Sequence, residues 1–286
     1  MSKCIVTGSS GYIGSHLTKK LKTLGHEVFE VDKESANTPL DLAKELTYKY
    51  LPTDPDYIFH LACIPRVAYS VEQPVLTTYN NVLSTTYLLD YAKRVGCKRL
   101  IYAGSSSVVG NGDGPSSPYG LQKLVSEMEC KLYSSLYNLD TVTLRYFNVY
   151  SEDQVPTSAY STAICNWMEC IRTGSTPYIT GNGEQNRDMA YVHDVVDANI
   201  AAMEYENKFN GQHFDIGTGS NITLNEIKDI VQKYHDIKFD YVEDRKGDVF
   251  STVADIEPFK KCGWSPKVDL HTGINRCFSQ DSLNDK

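Results

Sequence analysis

The chain has 286 residues, 41% of them apolar and 22% charged, the profile of a folded globular protein and not of a disordered or fibrous one. At this length about three quarters of the unfolded surface can be buried, so a core needs neither metal nor disulfide. The 36 acidic and 28 basic residues leave a formal charge of −8, which argues against nucleic acid or an anionic membrane as partner, since both need a basic footprint.

Met1-Ser2-Lys3 leads straight into Cys4-Ile5-Val6, without the charged and apolar stretches of a secretory leader. No apolar run approaches the ~18 residues of a membrane span, so the expectation is a cytoplasmic protein. The eight cysteines form no CxxC pair and no cluster with His at zinc spacing. They read as reduced, mostly buried thiols, with no metal site.

Cys4-Ile5-Val6 reads as a strand, Leu17, Leu21 and Leu24 recur at near-helical spacing, Gly25 stops that helix, and Val28-Phe29-Glu30-Val31 is the next strand. Further strands are expected at Tyr57–Leu61, Leu100–Tyr102 and Val142–Leu144, with helices at Val82–Val95 and Leu121–Tyr137. This alternation predicts an α/β fold, a doubly wound parallel sheet covered by helices on both faces. Beyond Arg145, segments rich in Gly, Pro and polar residues break up shorter elements, as in a smaller lobe. His213-Phe214-Asp215-Ile216 nevertheless reads as one more sheet strand. The predicted division is interleaved: 1–150 with about 188–217 for the first domain, 151–187 with 218–286 for the second.

Between the first strand and the first helix lies Thr7-Gly8-Ser9-Ser10-Gly11-Tyr12-Ile13-Gly14, spaced GxxGxxG. A glycine turn at that junction lets backbone N–H groups and the helix N-terminus hold a dinucleotide pyrophosphate. Three glycines alone also fit a turn that binds nothing. Asp32, ending the second strand, adds to the case: a carboxylate there accepts both hydroxyls of an adenosine ribose and repels a 2′-phosphate, so NAD is favoured over NADP. Lys33 beside it is the dissonant neighbour.

Tyr119-Gly120-Leu121-Gln122-Lys123 places a phenol and an ammonium at i and i+4, on one face of a helix that begins after Pro118. A phenol with a pKa of about 10 is a poor base at neutral pH, and the ammonium is expected to lower it toward the working range. Alone, such a pair is also common surface decoration. Ser105-Ser106-Ser107 follows the strand at Leu100–Tyr102, at the sheet edge where open α/β folds bind ligands. A hydroxyl there can orient a substrate oxygen or simply form a serine-rich turn.

Together these residues resemble the extended short-chain dehydrogenase/reductase family, above all its nucleotide-sugar epimerases and dehydratases, over nearly the whole chain. The resemblance implies a Rossmann domain with a smaller nucleotide-sugar-binding lobe, and NAD as cofactor. It assigns catalysis to Ser105, Tyr119 and Lys123. Its cofactor positions fall on Gly8, Gly11, Tyr12, Ile13 and Gly14 of the TGxxGxxG turn, on Asp32 and Lys33, on the pair Asp41-Leu42, on Leu61, Ala62 and Cys63 after His60, and on Asn81 and Tyr146, besides Tyr119 and Lys123. Its substrate positions fall on Ser105 and Ser107, Asn148 of Arg145-Tyr146-Phe147-Asn148, Gln154, Arg187 of the segment Gly181–Asp188, and Arg245, Asp248 and Thr252. Two Arg converging on a diphosphate suit the fork of a guanidinium. Without the resemblance each would pass for a surface charge.

Dehydratases of this family carry an Asp-Glu pair directly after the catalytic hydroxyl, and the decarboxylases place a Glu nearby; this chain has Ser106 and Ser107. A hydroxyl cannot replace a carboxylate as general acid or base at neutral pH. What remains is oxidation and re-reduction at C4′. In that 4-epimerisation Tyr119 takes the 4′-hydroxyl proton while a hydride passes to tightly held NAD and returns to the other face of the 4-keto sugar. Arg187 and Arg245 hold the diphosphate meanwhile.

By the resemblance, Thr252 stands where a bulky Tyr in the family excludes N-acetylated hexoses, and the segments 148–154 and 181–188 look most similar to those of UDP-N-acetylglucosamine 4-epimerases. The expected substrate is therefore a UDP-sugar, either UDP-N-acetylglucosamine/UDP-N-acetylgalactosamine or UDP-glucose/UDP-galactose. Two other readings fit the same residues. One is an NAD(P)H-dependent reductase of nucleotide 4-keto sugars, against which Asp32 speaks; the other is a non-catalytic NAD(P)-sensing regulator, which would be expected to lose Tyr119 or Lys123.

The chain departs from the family at Val109, where the VYG motif has Tyr, at Ser151, where Gly usually follows the FNVY run, and in a much shortened stretch from Gly110 to Tyr119. His60 and His193 read as structural, and Cys63 as small packing with no basic partner near it in sequence. The resemblance also implies a homodimer through the helices at Val82–Val95 and Leu121–Tyr137.

Overall fold

Residues 1–35, 39–155, 162–243 and 250–279 are described by a computed structural model. In chain order the first half holds β1 (Lys3–Thr7), α1 (Tyr12–Thr23), β2 (Glu27–Val31), β3 (Tyr57–His60), α2 (Val67–Glu72), α3 (Pro74–Thr78), α4 (Ser84–Val95), β4 (Arg99–Ser105), α5 (Pro118–Tyr137) and β5 (Thr141–Tyr146). The second half holds α6 (Ala163–Thr173), β6 (Tyr178–Thr180), β7 (Asn186–Arg187), α7 (Val192–Glu204), β8 (Gln212–Ile216), β9 (Ile222–Thr223), α8 (Leu224–Val231), β10 (Asp240–Val242), β11 (Ser251–Thr252), α9 (Glu257–Lys260) and α10 (Leu270–Phe278).

Six strands form one parallel sheet in the order β2-β1-β3-β4-β5-β8. The continuous apolar runs of the sequence are its strands, buried on both faces because crossover helices cover each side. Along β1, alternate residues serve opposite layers. Cys4 and Val6 pack with Leu17 and Leu21 of α1 and Val195 of α7; Ile5 packs with Leu88 and Leu89 of α4 and Cys130 of α5. The fold is thus the doubly wound α/β, Rossmann-type arrangement expected. From β1 the chain goes to β2 on one side and then to β3 on the other, which opens a crevice beyond their carboxyl ends.

β4 runs farther than its apolar run suggests, to Ser105 itself. The helix expected from Val82 begins at Ser84, and a π turn, Tyr79–Leu83, joins it to α3. A separate apolar cluster, with Trp167 of α6, Ile227 of α8 and Phe278 of α10, forms the core of the second region, and β8 returns to the edge of the main sheet. Within the first region a buried ion pair ties the sheet to the end of α7. Arg99 donates from Nε to Asp140 at 2.6 Å and from its Nη atoms to the carbonyls of Ala202, Tyr205 and Asn207 at 2.6, 2.8 and 2.7 Å, satisfying groups that the end of α7 leaves open. All eight cysteines carry free thiols, and five are buried. Among the described residues, no helix is long and apolar enough to cross a membrane.

Candidate active site

The turn between β1 and α1 closes because Gly8 adopts a φ of 70°, and a Cβ there would lie 2.8 Å from the Ala62 nitrogen. At Gly14 a Cβ would fall 2.0 Å from the Gly8 carbonyl oxygen, so the first turn of α1 crosses the loop at a distance only glycine allows. Gly11 caps α1 without a side chain, and the first turn carries no acid, which leaves its N–H groups available to an anion.

Beneath this turn, Thr7 Oγ1 accepts the N–H groups of Leu61 and Ala62, each at 3.1 Å, and lies 2.8 Å from His60 Nδ1. Thr85 Oγ1 donates to the Asn81 carbonyl at 2.8 Å and lies 3.0 Å from His60 Nε2. Both acceptor sites of Thr7 are taken by N–H groups, so its proton goes to Nδ1 and the imidazole carries its own proton on Nε2. Burial agrees, pushing His60 down to about 3, with the Lys123 charge adding to the effect. His60 is a neutral girder of the scaffold, as its sequence context suggested.

Beyond the strand ends opens a cleft of about 600 Å³. Along it, in the order the sheet imposes, lie Asp32, Lys33, Asp41 and Leu42 beside β2, then the glycine turn with Tyr12 and Ile13, then Leu61, Ala62 and Cys63 after β3. Tyr119, Lys123 and Tyr146 lie toward β4 and β5. Asp32 is fixed, accepting the N–H of Ser10 at 3.0 Å and that of Glu34 at 2.9 Å. Asn81 is the one cofactor position that does not line the cleft. Its Oδ1 accepts the Ile64 N–H at 2.7 Å and its Nδ2 donates to Gln122 Oε1 at 2.8 Å, so it holds the loop after β3 instead. Gln154, assigned to substrate, lines this same cleft from the second region.

Tyr119 sits in the first turn of α5, which Pro118 opens and Ser117 caps by accepting the Gly120 N–H. Its backbone N–H donates to Ser70 Oγ at 3.0 Å. One turn on, Lys123 donates from Nζ to the Ala103 carbonyl at 2.7 Å and stands 5.9 Å from the Tyr119 ring centroid. The Ser105 hydroxyl stands close enough to the Tyr119 phenol to help hold its pKa down, and it lies 2.8 Å from Ser107 Oγ. The three catalytic candidates are therefore brought together.

The expected lowering of the phenol is corrected. Lys123 does pull the Tyr119 pKa down, but burial outweighs it and the phenol is pushed up to about 12. Burial also disfavours the Lys123 ammonium, yet the Cys63 and Tyr119 side chains beside it raise its pKa overall, so Lys123 stays charged. Cys63 thus has a basic neighbour after all, in space and not in sequence: the Lys123 ammonium lies close enough for the two to influence each other.

Ser105, Ser107, Asn148, Arg187 and Thr252 do not line the 600 Å³ cleft. Ser105 pairs with Tyr146 across β4 and β5, which puts Asn148 at the same sheet edge. Asn148, at a φ of 29°, donates to the Asp188 carbonyl at 2.7 Å. Arg187 pairs with Thr252 between β7 and β11, and its Nη1 donates to the Phe250 carbonyl at 3.1 Å. Its neighbour Asp188 is fully buried and accepts from Thr218 N and Oγ1, Gly219 N and Ala254 N. The Asp of that motif is scaffold, fixing where Arg187 stands. Arg245 and Asp248 lie outside the described residues.

Two contacts near the site had no signal in the sequence. Ser151 lies 2.5 Å from the Tyr12 hydroxyl and donates to Asp153, whose other oxygen is 3.1 Å from His16 Nε2, so the second region grips α1. Gln122, beside Lys123, donates to Thr77 and Thr78 at 2.9 and 3.0 Å, tying α5 to α3.

The family described as NAD dependent epimerase/dehydratase matches residues 4–217. The chain belongs to this family. A putative UDP-glucose 4-epimerase of Methanocaldococcus jannaschii is 33% identical over 309 residues, covering 99% of each chain. UDP-glucose 4-epimerase of Thermotoga maritima, solved with UDP-glucose, matches with a TM-score of 0.89 at 31% identity, over 96% of this chain and 97% of that one. UDP-N-acetylglucosamine 4-epimerase of Methanobrevibacter ruminantium, solved with UDP-N-acetylmuramic acid, matches with a TM-score of 0.89 at 30% identity, over 97% of both. NAD is the cofactor of this epimerase-family protein, and the chain fits it: the glycine turn admits a close approach, α1 offers uncapped N–H groups, and the carboxylate of Asp32 is held at the end of β2.

Proposed function

We propose that the protein is an NAD-dependent UDP-sugar 4-epimerase acting on UDP-N-acetylglucosamine and UDP-N-acetylgalactosamine or on UDP-glucose and UDP-galactose. The observation that carries this reading is the meeting of Ser105 with Tyr119 and Lys123, the latter two lining the cleft, with Ser106 and Ser107 where dehydratases have carboxylates.

Bound NAD supplies the exchange of a hydride at C4′. The protein supplies the proton transfer and the positioning. Tyr119, as phenolate, takes the 4′-hydroxyl proton and gives it back when the 4-keto sugar is reduced. Ser105 hydrogen-bonds the same oxygen, and Lys123, charged throughout, stabilises the phenolate. Arg187 holds the diphosphate while the sugar turns, and Arg245 is assigned the same part by resemblance. We assign 1–150 and about 188–217 to NAD, and 151–187 with 218–286 to the nucleotide sugar. The place of β8 in the main sheet and the separate core around Trp167 support this division.

The same reading makes the protein a homodimer. Val75, Tyr79, Val82 and Leu83 line an apolar groove of about 530 Å³, and α5 exposes Leu121, Met128, Leu132 and Leu136. A second copy on this face would remove the stripe from water.

The test is to incubate the purified protein with UDP-glucose and with UDP-N-acetylglucosamine separately, adding no nicotinamide, and to resolve the products. Formation of a 4-epimer is expected. Turnover that requires added NAD(P)H and yields a reduced sugar would move the protein to the reductases, and conversion of neither sugar would overturn the proposal.

A further inference from the structure

The segment from Gly110 to Tyr119, much shorter than the family pattern, has a defined geometry in this fold. It is wound tightly on itself. The Val109 carbonyl accepts the N–H groups of both Gly112 and Gly114, at 3.1 and 3.2 Å. Gly110, at a φ of 58°, packs so closely on the Gly114 carbonyl that a Cβ would lie 1.9 Å from its oxygen. Asn111, between them, reaches across to the other region, and its Oδ1 accepts the Phe250 N–H at 3.2 Å, joining positions 139 residues apart.

Phe250 is held from the opposite side as well. Its carbonyl accepts the Asn186 N–H at 3.0 Å and Arg187 Nη1 at 3.1 Å. Two residues on, Thr252 pairs with Arg187, and its carbonyl accepts the Asp188 N–H at 2.9 Å. Just before the clipped loop stand Ser105 and Ser107, whose hydroxyls lie 2.8 Å apart. One side chain therefore links the turn that carries the serines to the strand pair that carries Arg187 and Thr252.

We propose that Asn111 is a positioning residue for the sugar subsite: it fixes the entry to β11 against the catalytic turn and so sets the room that Thr252 and Arg187 leave for the hexose. This inference rests on the UDP-sugar epimerase reading. One hydrogen bond sets the spacing.

The experiment compares wild type, Asn111→Ala and Asn111→Asp, each purified with its NAD. Asn111→Ala is expected to raise the KM for UDP-sugar about two- to tenfold, the range that loss of one hydrogen bond allows. The ratio of kcat/KM between N-acetylated and plain UDP-hexoses should shift with it. kcat and the NAD content should stay near wild type, because Tyr119, Lys123 and the glycine turn are untouched. Asn111→Asp keeps an acceptor oxygen and should restore KM.

An Asn111→Ala protein with unchanged KM and substrate ratio overturns the proposal, as does one whose kcat falls together with its NAD content. Calorimetric binding of UDP-glucose and UDP-N-acetylglucosamine separates this inference from the functional reading. If wild type binds these sugars but epimerises neither, the epimerase reading fails alone. A two- to tenfold loss of affinity in Asn111→Ala then still supports the role of Asn111, and equal affinity overturns it.

Discussion

The cofactor cleft and the sugar side meet at Tyr119 but are assembled in opposite ways. The cleft is made chiefly of strand ends and the turns directly after them, from Gly8 to Tyr146, so neighbours in the sheet are neighbours along the cleft. The proposed sugar side is gathered from Ser105–Asn111, Asn148, Arg187 and Ser251–Thr252, and it is held by cross-links: the four hydrogen bonds into Asp188 and the bond from Phe250 to Asn111. A cleft of the first kind is fixed by backbone geometry and tolerates little change at its glycines. A subsite of the second kind can be retuned one side chain at a time.

The sharpest way to separate the two regions is to remove the chemistry at their junction. Tyr119→Phe is expected to lower turnover by about two to four orders of magnitude while NAD content and UDP-sugar binding stay, as single-turnover assays and absorbance of the bound cofactor would show. Because burial pushes the phenol up, the phenolate fraction grows with pH, so wild-type turnover should rise as pH climbs above neutral. Retained activity in the phenylalanine variant would place the base elsewhere.

Next in size is the link between the sheet and the end of α7. Arg99→Met leaves Asp140 as a buried charge without its partner, and chemical denaturation should report a loss of about 3–5 kcal/mol. If stability falls by less than about 1 kcal/mol, that pair behaves as a surface bridge despite its burial.

His60 gives a pH signature to the cofactor side alone. Folding holds it neutral down to about 3, whereas the unfolded chain takes up a proton near 6.5. The unfolded state therefore binds the extra proton, and stability falls as pH drops, by about 1.4 kcal/mol per unit below about pH 6. Denaturation of wild type and His60→Gln across that range should show a shallower acid slope in the variant. Parallel slopes would mean that His60 is protonated in the fold.

The smallest effect is expected where the second region grips α1. Ser151→Gly removes the bond to Tyr12 and should cost about 0.5–1.5 kcal/mol of stability, with faster NAD loss on dilution. Unchanged NAD retention would show that Tyr12 is held without it.

These contrasts also explain what could be read from the chain. Gly8, Gly14 and Asp32 were legible because their roles are local: a positive φ, a close helix–loop crossing and the end of a strand. Tyr119 and Lys123 were legible as a pair one helical turn apart. The rise of the phenol was not, since it depends on how deeply the packed fold buries the ring. Nor was the contact between Lys123 and Cys63, the loop-holding role of Asn81, the place of Gln154 in the cofactor cleft or the reach of Asn111, because each joins residues distant in sequence and leaves no periodic trace.

The most direct measurement is epimerisation in deuterated water. Protein carrying only its own NAD is incubated with UDP-glucose and UDP-N-acetylglucosamine, and the products are read by NMR and mass spectrometry. The account predicts a C4′ epimer with no carbon-bound deuterium, since the same hydride leaves and returns. Deuterium at C5′, or product only when NAD(P)H is added, would contradict it.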